Sequence, residues 1–203
     1  MKALYVTDRA AIGDGRFAEV LASLAGEPDL AVQLRERGAS DRETLAWART
    51  CRAALGPDVP LYVNRRFDVA LAAGADGVHL PADGLPADRV RANAPRGFRV
   101  GVSTHSPAEA RAAVAAGADV VVIGPVFDTP SKRPFGAPLG PDALGELPLA
   151  SEHGTLVYAI GGITRTNLDA LDRYRDRIAG VAAVRLFQES SDPRGAAREI
   201  SRR

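Results

Sequence analysis

Short apolar runs rich in β-branched residues alternate along this chain with segments where Ala, Leu, Arg and Glu recur at helical spacing. The runs predict strands at Ala3–Thr7, Leu30–Leu34, Leu61–Asn64, Gly77–Leu80, Arg99–Ser103, Val120–Val126, Leu156–Ile160 and Val181–Leu186. They are apolar almost throughout rather than at every second residue, as expected of parallel strands covered on both faces. Helical patterns fall between them at Arg16–Leu24, Asp41–Leu55, Phe67–Ala73, Ala87–Ala94, Pro107–Ala116, Pro141–Glu152, Arg165–Arg175 and Pro193–Ser201. Eight strand–helix units in strict alternation predict a compact (β/α)8 barrel, a TIM barrel, as a single domain over residues 1–203. The competing arrangement is an open doubly wound sheet. That fold ordinarily carries a glycine-rich loop after its first strand, and Thr7-Asp8-Arg9-Ala10 offers none.

An internal echo supports a repeated unit. Ala-Ala-Gly-Ala-Asp-Gly-Val-His-Leu at 72–80 resembles Ala-Ala-Gly-Ala-Asp-Val-Val-Val-Ile at 115–123. Gly74 and Gly117 fit the left-handed residue that ends a helix, and Asp76 and Asp119 fit the turn into the next strand. Ser106-Pro107 with Glu109, and Ser40 with Glu43, read as helix N-caps. The longest irregular stretch, Phe127–Pro141, is expected to lie over the C-terminal mouth of a barrel as a binding loop or lid.

Composition narrows the function class. A net charge of +1 provides no field for nucleic acid or an anionic membrane surface. With Cys51 as the one cysteine, an internal disulfide and a cysteine-based metal cluster are excluded, and its helical surroundings read as core. Met1–Arg9 leads straight into a strand and lacks the form of a signal peptide, and no apolar run approaches a membrane span, so a cytoplasmic location is expected. The expected partner is a small phosphorylated molecule. A homo-oligomer is compatible with the chain.

In a parallel barrel, chemistry gathers where strands end. The expected strand ends supply Gln33, Arg35 and Arg37; Asn64, Arg65 and Arg66; Ser103 and His105; Thr129, Ser131 and Lys132; Gly161 and Gly162; and Arg185. Gln33, Arg35 and Arg37 alternate, which puts them on one face at the rim, suited to phosphate or carboxylate or to a salt-bridged edge. Gly161-Gly162 permits close backbone approach to a phosphate, though a tight turn before a helix would also explain the pair. His105 is the acid/base candidate, because an unperturbed imidazole titrates near neutrality. His79, inside a strand, reads as structural, and His153 as a surface residue on the opposite face.

These motifs together resemble the thiamine phosphate synthase/TenI family across nearly the whole chain. The likeness rests on Leu4–Arg9, on Val-Gln-Leu-Arg-Glu-Arg at 32–37, on Ala-Asp-Gly-Val-His-Leu at 75–80 and on Gly-Val-Ser-Thr-His-Ser at 101–106. It extends to 124–132, Gly-Pro-Val-Phe-Asp-Thr-Pro-Ser-Lys, and to Ala-Ile-Gly-Gly-Ile at 159–163. The resemblance implies a (β/α)8 barrel and one of two activities. The synthase joins a pyrimidine diphosphate to a thiazole phosphate, releases pyrophosphate and uses Mg²⁺. The TenI-type tautomerase moves a proton to aromatise a carboxythiazole phosphate. By position, Thr129, Ser131, Gly161 and Gly162 match thiazole-phosphate contacts. Gln33, Arg35, Arg37, Asn64, Ser103 and Lys132 match pyrimidine-diphosphate contacts, and His105 matches the proton-transfer histidine of the tautomerase.

The departures from the family pattern set the expectation. Arg65 stands where the synthase has a metal-binding Asp, and Gly84, after Asp83, stands at the second metal position. Mg²⁺ requires oxygen donors, so no metal site and no cofactor are expected. Mg²⁺ enters only if the synthase activity holds. Val184-Arg185 replaces a pair that helps hold phosphate, so that Arg185 either strengthens the anion site or fills it. The leading expectation is therefore a metal-independent tautomerase, with His105 moving the proton. A divergent synthase follows, and a non-catalytic phosphate binder is the reading from another class.

Overall fold

The computed structural model describes every residue except His153, with the backbone alone at Ser131 and Phe135. Eight parallel strands close into a barrel in sequence order: β1 (Lys2–Val6), β2 (Leu30–Leu34), β3 (Leu61–Asn64), β4 (Gly77–Leu80), β5 (Arg99–Thr104), β6 (Val120–Ile123), β7 (Leu156–Ile160) and β8 (Gly180–Ala183). Register runs continuously round the wall, from Tyr5 beside Val32 on β2 to Tyr5 beside Ala183 on β8. Helices cover the outside: α1 (Arg9–Ser23, interrupted at Gly13), α2 (Asp41–Leu55), α3 (Phe67–Ala72), α4 (Ala87–Arg91), α5 (Pro107–Ala115), α6 (Arg185–Gln188) and α7 (Pro193–Ser201). The TIM barrel read from the alternation is the observed fold.

Two cores explain the continuously apolar strands. One alternating set, including Tyr5, Val32, Leu34, Val63, Val78 and Val121, packs outward against the helices. The other, including Leu4, Val6, Ala31, Tyr62, Val122, Tyr158 and Ala182, fills the barrel. Cys51 is buried in the outer core, and its thiol is pushed up to about 12, chiefly by that burial. Every second residue thus meets a different apolar layer, which removes the polar alternation of a half-exposed sheet.

The internal echo is one device built twice. Gly74 and Gly117 have φ of +64° and +78°. Just beyond them, Asp76 Oδ2 accepts the Leu61 amide at 2.7 Å and pairs with Arg52. Asp119 Oδ2 likewise accepts the Val100 amide at 2.6 Å and pairs with Arg91. Each carboxylate ties the entry to one strand to the preceding strand or helix. The helix starts are also as expected. Ser40 and Glu43 form a reciprocal capping box, and the Ser106 hydroxyl accepts the Glu109 amide at 3.1 Å. Each cap is worth about 1 kcal/mol.

The second half departs from strict alternation. Where Pro141–Glu152 was expected to be an α-helix there are two 3₁₀ segments, Pro141–Glu146 and Ala150–Glu152. Gly145 weakens the first, and Pro148 breaks continuity between them. Arg165–Arg175 reduces to a 3₁₀ helix at Leu168–Tyr174, tied back by the Tyr174 hydroxyl donating to Asp142 at 2.8 Å. The sixth strand stops at Ile123, because Gly124 turns in against Ile160. The eighth stops at Ala183, so Arg185 opens α6 instead of extending a strand. His153, expected on the opposite face, lies outside the described residues. No helix among the described residues is long and apolar enough to cross a membrane.

Candidate active site

At the C-terminal end of the barrel opens a cavity of about 1280 Å³. That exceeds the several hundred cubic ångströms typical of a site for one small molecule. Val6, Val122, Ile160 and Ala182 form its apolar floor. Its walls include Gln33, Arg35, Arg37, Asn64, Ser103, His105, Thr129, Lys132, Gly161, Gly162 and Arg185. The structure therefore gathers the residues singled out in the sequence around one space. The Ser131 side chain lies outside the described residues; its backbone belongs to a 3₁₀ turn, Pro130–Phe135, that carries Lys132. A smaller cavity of about 330 Å³, bounded by Pro125, Gly136, Ala137 and Leu139, adjoins the first across His105 and Lys132.

Strand alternation sets the polar wall. Ala31, Gln33 and Arg35 succeed one another on the inward face of β2 and its extension. Gln33 is buried, and its Nε2 donates to Asn64 Oδ1 on β3 at 3.0 Å. Arg35 is half-buried. Burial, and then the charge of Arg37, lowers its proton affinity. Lys132 is lowered in the same sense by burial first, then by Arg35 and Arg37. Three cations from two loops thus converge, and the charge of Arg37 disfavours the charged forms of both Arg35 and Lys132.

A network invisible in the sequence holds these arginines. Thr7 is fully buried; its Oγ1 donates to Glu36 Oε1 at 2.8 Å and accepts the Arg35 amide at 2.9 Å. Arg9 Nε lies 3.5 Å from Glu36 Oε2, and its guanidinium stacks 4.4 Å over the Trp47 ring. Burial raises the Glu36 carboxyl's affinity for a proton, while the bonds from Thr7 and Arg9 oppose that shift. Between β1 and β8, the Gln188 side chain donates to Asp8 O and accepts the Asp8 amide at 2.9 and 3.0 Å. Glu36 itself also lines the cavity, between Arg35 and Arg37, and nothing in the local sequence announced its bonds to Thr7 and Arg9.

His105 follows β5 and is exposed. Its Nδ1 lies 2.8 Å from Gly124 O. A carbonyl only accepts, so Nδ1 carries the hydrogen and a neutral ring keeps Nε2 open to take a proton. The His105 amide donates to Glu109 Oε2 at 2.7 Å, which anchors the residue to the first turn of α5. Thr129 precedes the Lys132 turn, whose amide donates to Thr129 O at 2.9 Å.

Gly161 and Gly162 follow β7 with φ of +100° and +64°. A Cβ on Gly162 would lie 2.4 Å from Asp128 O, so the loop carrying Thr129 packs directly on this turn. Neither glycine amide finds a hydrogen-bond partner among the described residues. Successive unpaired N–H groups at such a turn make an anion cradle. Arg185, across the cavity at the head of α6, is exposed.

The corner between β3 and β4 is built differently. Arg65 lines the cavity with φ of +68°, and its Nη2 lies 2.9 Å from Asp83 Oδ1. Arg66 pairs with Asp41 and Asp68. Gly84 offers no side chain, and its Cβ position is 2.9 Å from Pro81 Cδ. No group of three His, Cys, Asp or Glu side chains that could hold a metal occurs among the described residues. A guanidinium paired with the nearest carboxylate is the wrong donor set for Mg²⁺, so the residues at this corner do not fit that ion.

The site is thus the C-terminal mouth of an eight-stranded parallel barrel, lined by cations and by a glycine turn with unpaired amides among the described residues. The family model described as thiamine monophosphate synthase matches residues 3–187, and the chain belongs to this family of thiamine biosynthesis. The thiamine-phosphate synthase of Methanoregula boonei is 42% identical over 89% of this chain and 84% of its own length. That of Methanoculleus marisnigri is 42% identical over 89% of this chain and 86% of its own. A solved structure, the thiamine phosphate pyrophosphorylase of Pyrococcus furiosus, superposes with a TM-score of 0.80 at 28% identity over 99% of this chain and 94% of that one. These relatives carry the synthase name, and their weight falls on the reading that the residues alone had ranked second.

Proposed function

We propose that this chain is a thiamine-phosphate synthase. Its cavity holds a thiazole phosphate beside a pyrimidine diphosphate, and a bond forms at the carbon that bore the diphosphate as pyrophosphate leaves with the bonding electron pair. The observation that carries this reading is the convergence of Arg35, Arg37 and Lys132, two of which are disfavoured by burial and by neighbouring charge. A multiply charged anion removes that cost, and a departing pyrophosphate is such an anion. The cavity volume and the relatives that are thiamine-phosphate synthases by name support the same reading.

Within it, Arg35, Arg37 and Lys132 bind the diphosphate and stabilise charge as it leaves. Gln33 with Asn64, and Ser103, orient the pyrimidine diphosphate. Thr129, the Gly161 and Gly162 amides and Arg185 hold the thiazole phosphate. No step is assigned to a metal, because the donor set between β3 and β4 does not fit one.

A second reading keeps the cavity and changes the reaction. His105, with Nδ1 held by Gly124 O and Nε2 open, is arranged to move a proton, and the misfit to Mg²⁺ favours a metal-free step. On this reading the chain is a thiazole tautomerase. One assay separates the two. The purified protein is given the non-aromatic carboxythiazole phosphate alone, then with the pyrimidine diphosphate, each with and without Mg²⁺. Thiamine phosphate formation supports the synthase. Aromatisation without coupling overturns it in favour of the tautomerase.

A further inference from the structure

We propose that His79 is a positioning residue: it donates its Nε2–H to Ser103 Oγ and thereby aims the Ser103 hydroxyl hydrogen into the anion-binding cavity. The proposal rests on the reading of that cavity as a diphosphate site.

His79 points into the barrel from β4, below the cavity, and is 2% exposed. Its Nε2 lies 2.9 Å from Ser103 Oγ on β5, and Ser103 lines the cavity whereas His79 does not. The neighbouring strand is cut to fit the ring. Gly101 stands in register with His79, and a Cβ there would lie 2.5 Å from Nδ1. A residue serving only to fill the barrel could be a branched hydrocarbon, as Val122 is. Here a polar ring occupies a space that the adjacent strand leaves empty.

Protonation and direction follow from the surroundings. Burial, and then the positive charge of Arg35, push the imidazole down to about 4, so the ring is neutral near pH 7. A neutral imidazole has one donor nitrogen and one acceptor nitrogen. Nδ1 makes no hydrogen bond among the described residues. Nδ1 lies against the Gly101 backbone, where an acceptor without a partner is tolerated better than an N–H without one, which favours the hydrogen on Nε2. The cavity side gives the same answer. A hydroxyl assists an anion only by donating, and Ser103 has one hydrogen. If Ser103 donated it to His79, only lone pairs would face the diphosphate. With His79 as donor, the hydrogen is left for the ligand, and each bond in the chain strengthens the next.

The test uses ¹⁵N-labelled protein and inorganic pyrophosphate as the probe. Ring ¹⁵N spectra at pH 7 are expected to show His79 neutral with the hydrogen on Nε2, and to change at His79 in Ser103→Ala. Calorimetry is expected to show pyrophosphate affinity falling roughly fivefold to tenfold in Ser103→Ala and by a similar factor in His79→Phe. The double variant should bind no more weakly than Ser103→Ala alone, and His79→Gln, which keeps an N–H donor, should recover part of the loss. Additive losses, or an Nδ1–H ring in a protein that binds pyrophosphate normally, would overturn the proposal alone. No pyrophosphate binding by the wild-type protein would overturn the diphosphate-site reading, and the purpose given to His79 with it. The spectra of the wild-type protein decide the tautomer even where a variant fails to fold.

Discussion

Arg65 and Asp83 meet across the ends of β3 and β4, Nη2 2.9 Å from Oδ1, with both side chains more than half exposed. An exposed pair of this kind is worth under about 1 kcal/mol, so Arg65 exchanges its partner readily for an anion in the cavity. Pyrophosphate is therefore expected to bind in the presence of a chelator with an affinity within about threefold of that in Mg²⁺. Titration calorimetry under the two conditions checks this. Binding only with Mg²⁺ would mean that this corner opens and assembles oxygen donors in another way.

Replacing His105 by Asn removes the open Nε2 while the rest of the cavity stays intact. On the tautomerase reading, aromatisation should fall by at least about a hundredfold while phosphate binding survives. On the synthase reading, coupling should fall far less. Assaying both substrates with this one variant locates the proton transfer, and full aromatisation by it would exclude His105 as the base.

The lowered proton affinity of Lys132 gives pyrophosphate binding an alkaline limb. The lysine loses its charge below the ordinary 10.5, so affinity should decline at a lower pH than for a solvated lysine. In the free protein the sign is opposite. Between the folded pKa and 10.5 the unfolded chain holds the extra proton, so Lys132's contribution to stability rises with pH through that window and is lost as pH falls through the folded value. Lys132→Arg should move the binding limb upward, which calorimetry across the alkaline range would register.

His79 acts on stability at the other end of the scale. Its imidazole is depressed from 6.5 to about 4 in the folded protein. Its contribution is fully present above 6.5 and is lost as pH falls through about 4, a change on the order of 3 kcal/mol. Urea denaturation at successive pH values should show this slope, and His79→Gln should remove most of it. An unchanged slope in the variant would assign the acid limb to other groups.

Gly162→Ala should cost both stability and phosphate affinity. The new Cβ would lie 2.4 Å from Asp128 O at a φ of +64°. Backbone strain and displacement of the 128–132 loop together should destabilise the protein by about 2–4 kcal/mol. Denaturation gives the first quantity and inorganic phosphate affinity the second. A loss of stability with full phosphate affinity would remove this turn from the anion site.

Much of the site was legible because strand ends are legible. Gln33, Arg35, Ser103, His105 and Lys132 lie at or just past apolar runs, and closing the barrel brings them to one mouth. Arg185 was placed at its mouth but in the wrong local structure, since a four-residue helix leaves almost no periodic signal. The 3₁₀ segments Pro141–Glu146, Ala150–Glu152 and Leu168–Tyr174 were read as α-helices for a related reason: their apolar spacing fits either, and docking against neighbours chose. His79 read as structural because strand residues of a buried sheet look alike on both faces. Whether its ring meets a hydrocarbon or Ser103 depends on the facing strand.

The sequence by itself determined the eight strands, the barrel and the family, because burial on two faces and the motifs at strand ends are properties of contiguous residues. Only the tertiary structure decided which distant groups touch. Ser103 lies 24 positions from His79, and Glu36 lies 29 from Thr7, yet each pair is joined by a hydrogen bond. Such contacts are set by inter-strand register and by the direction of side chains at the rim. Both come from packing the whole barrel, and no local spacing records them.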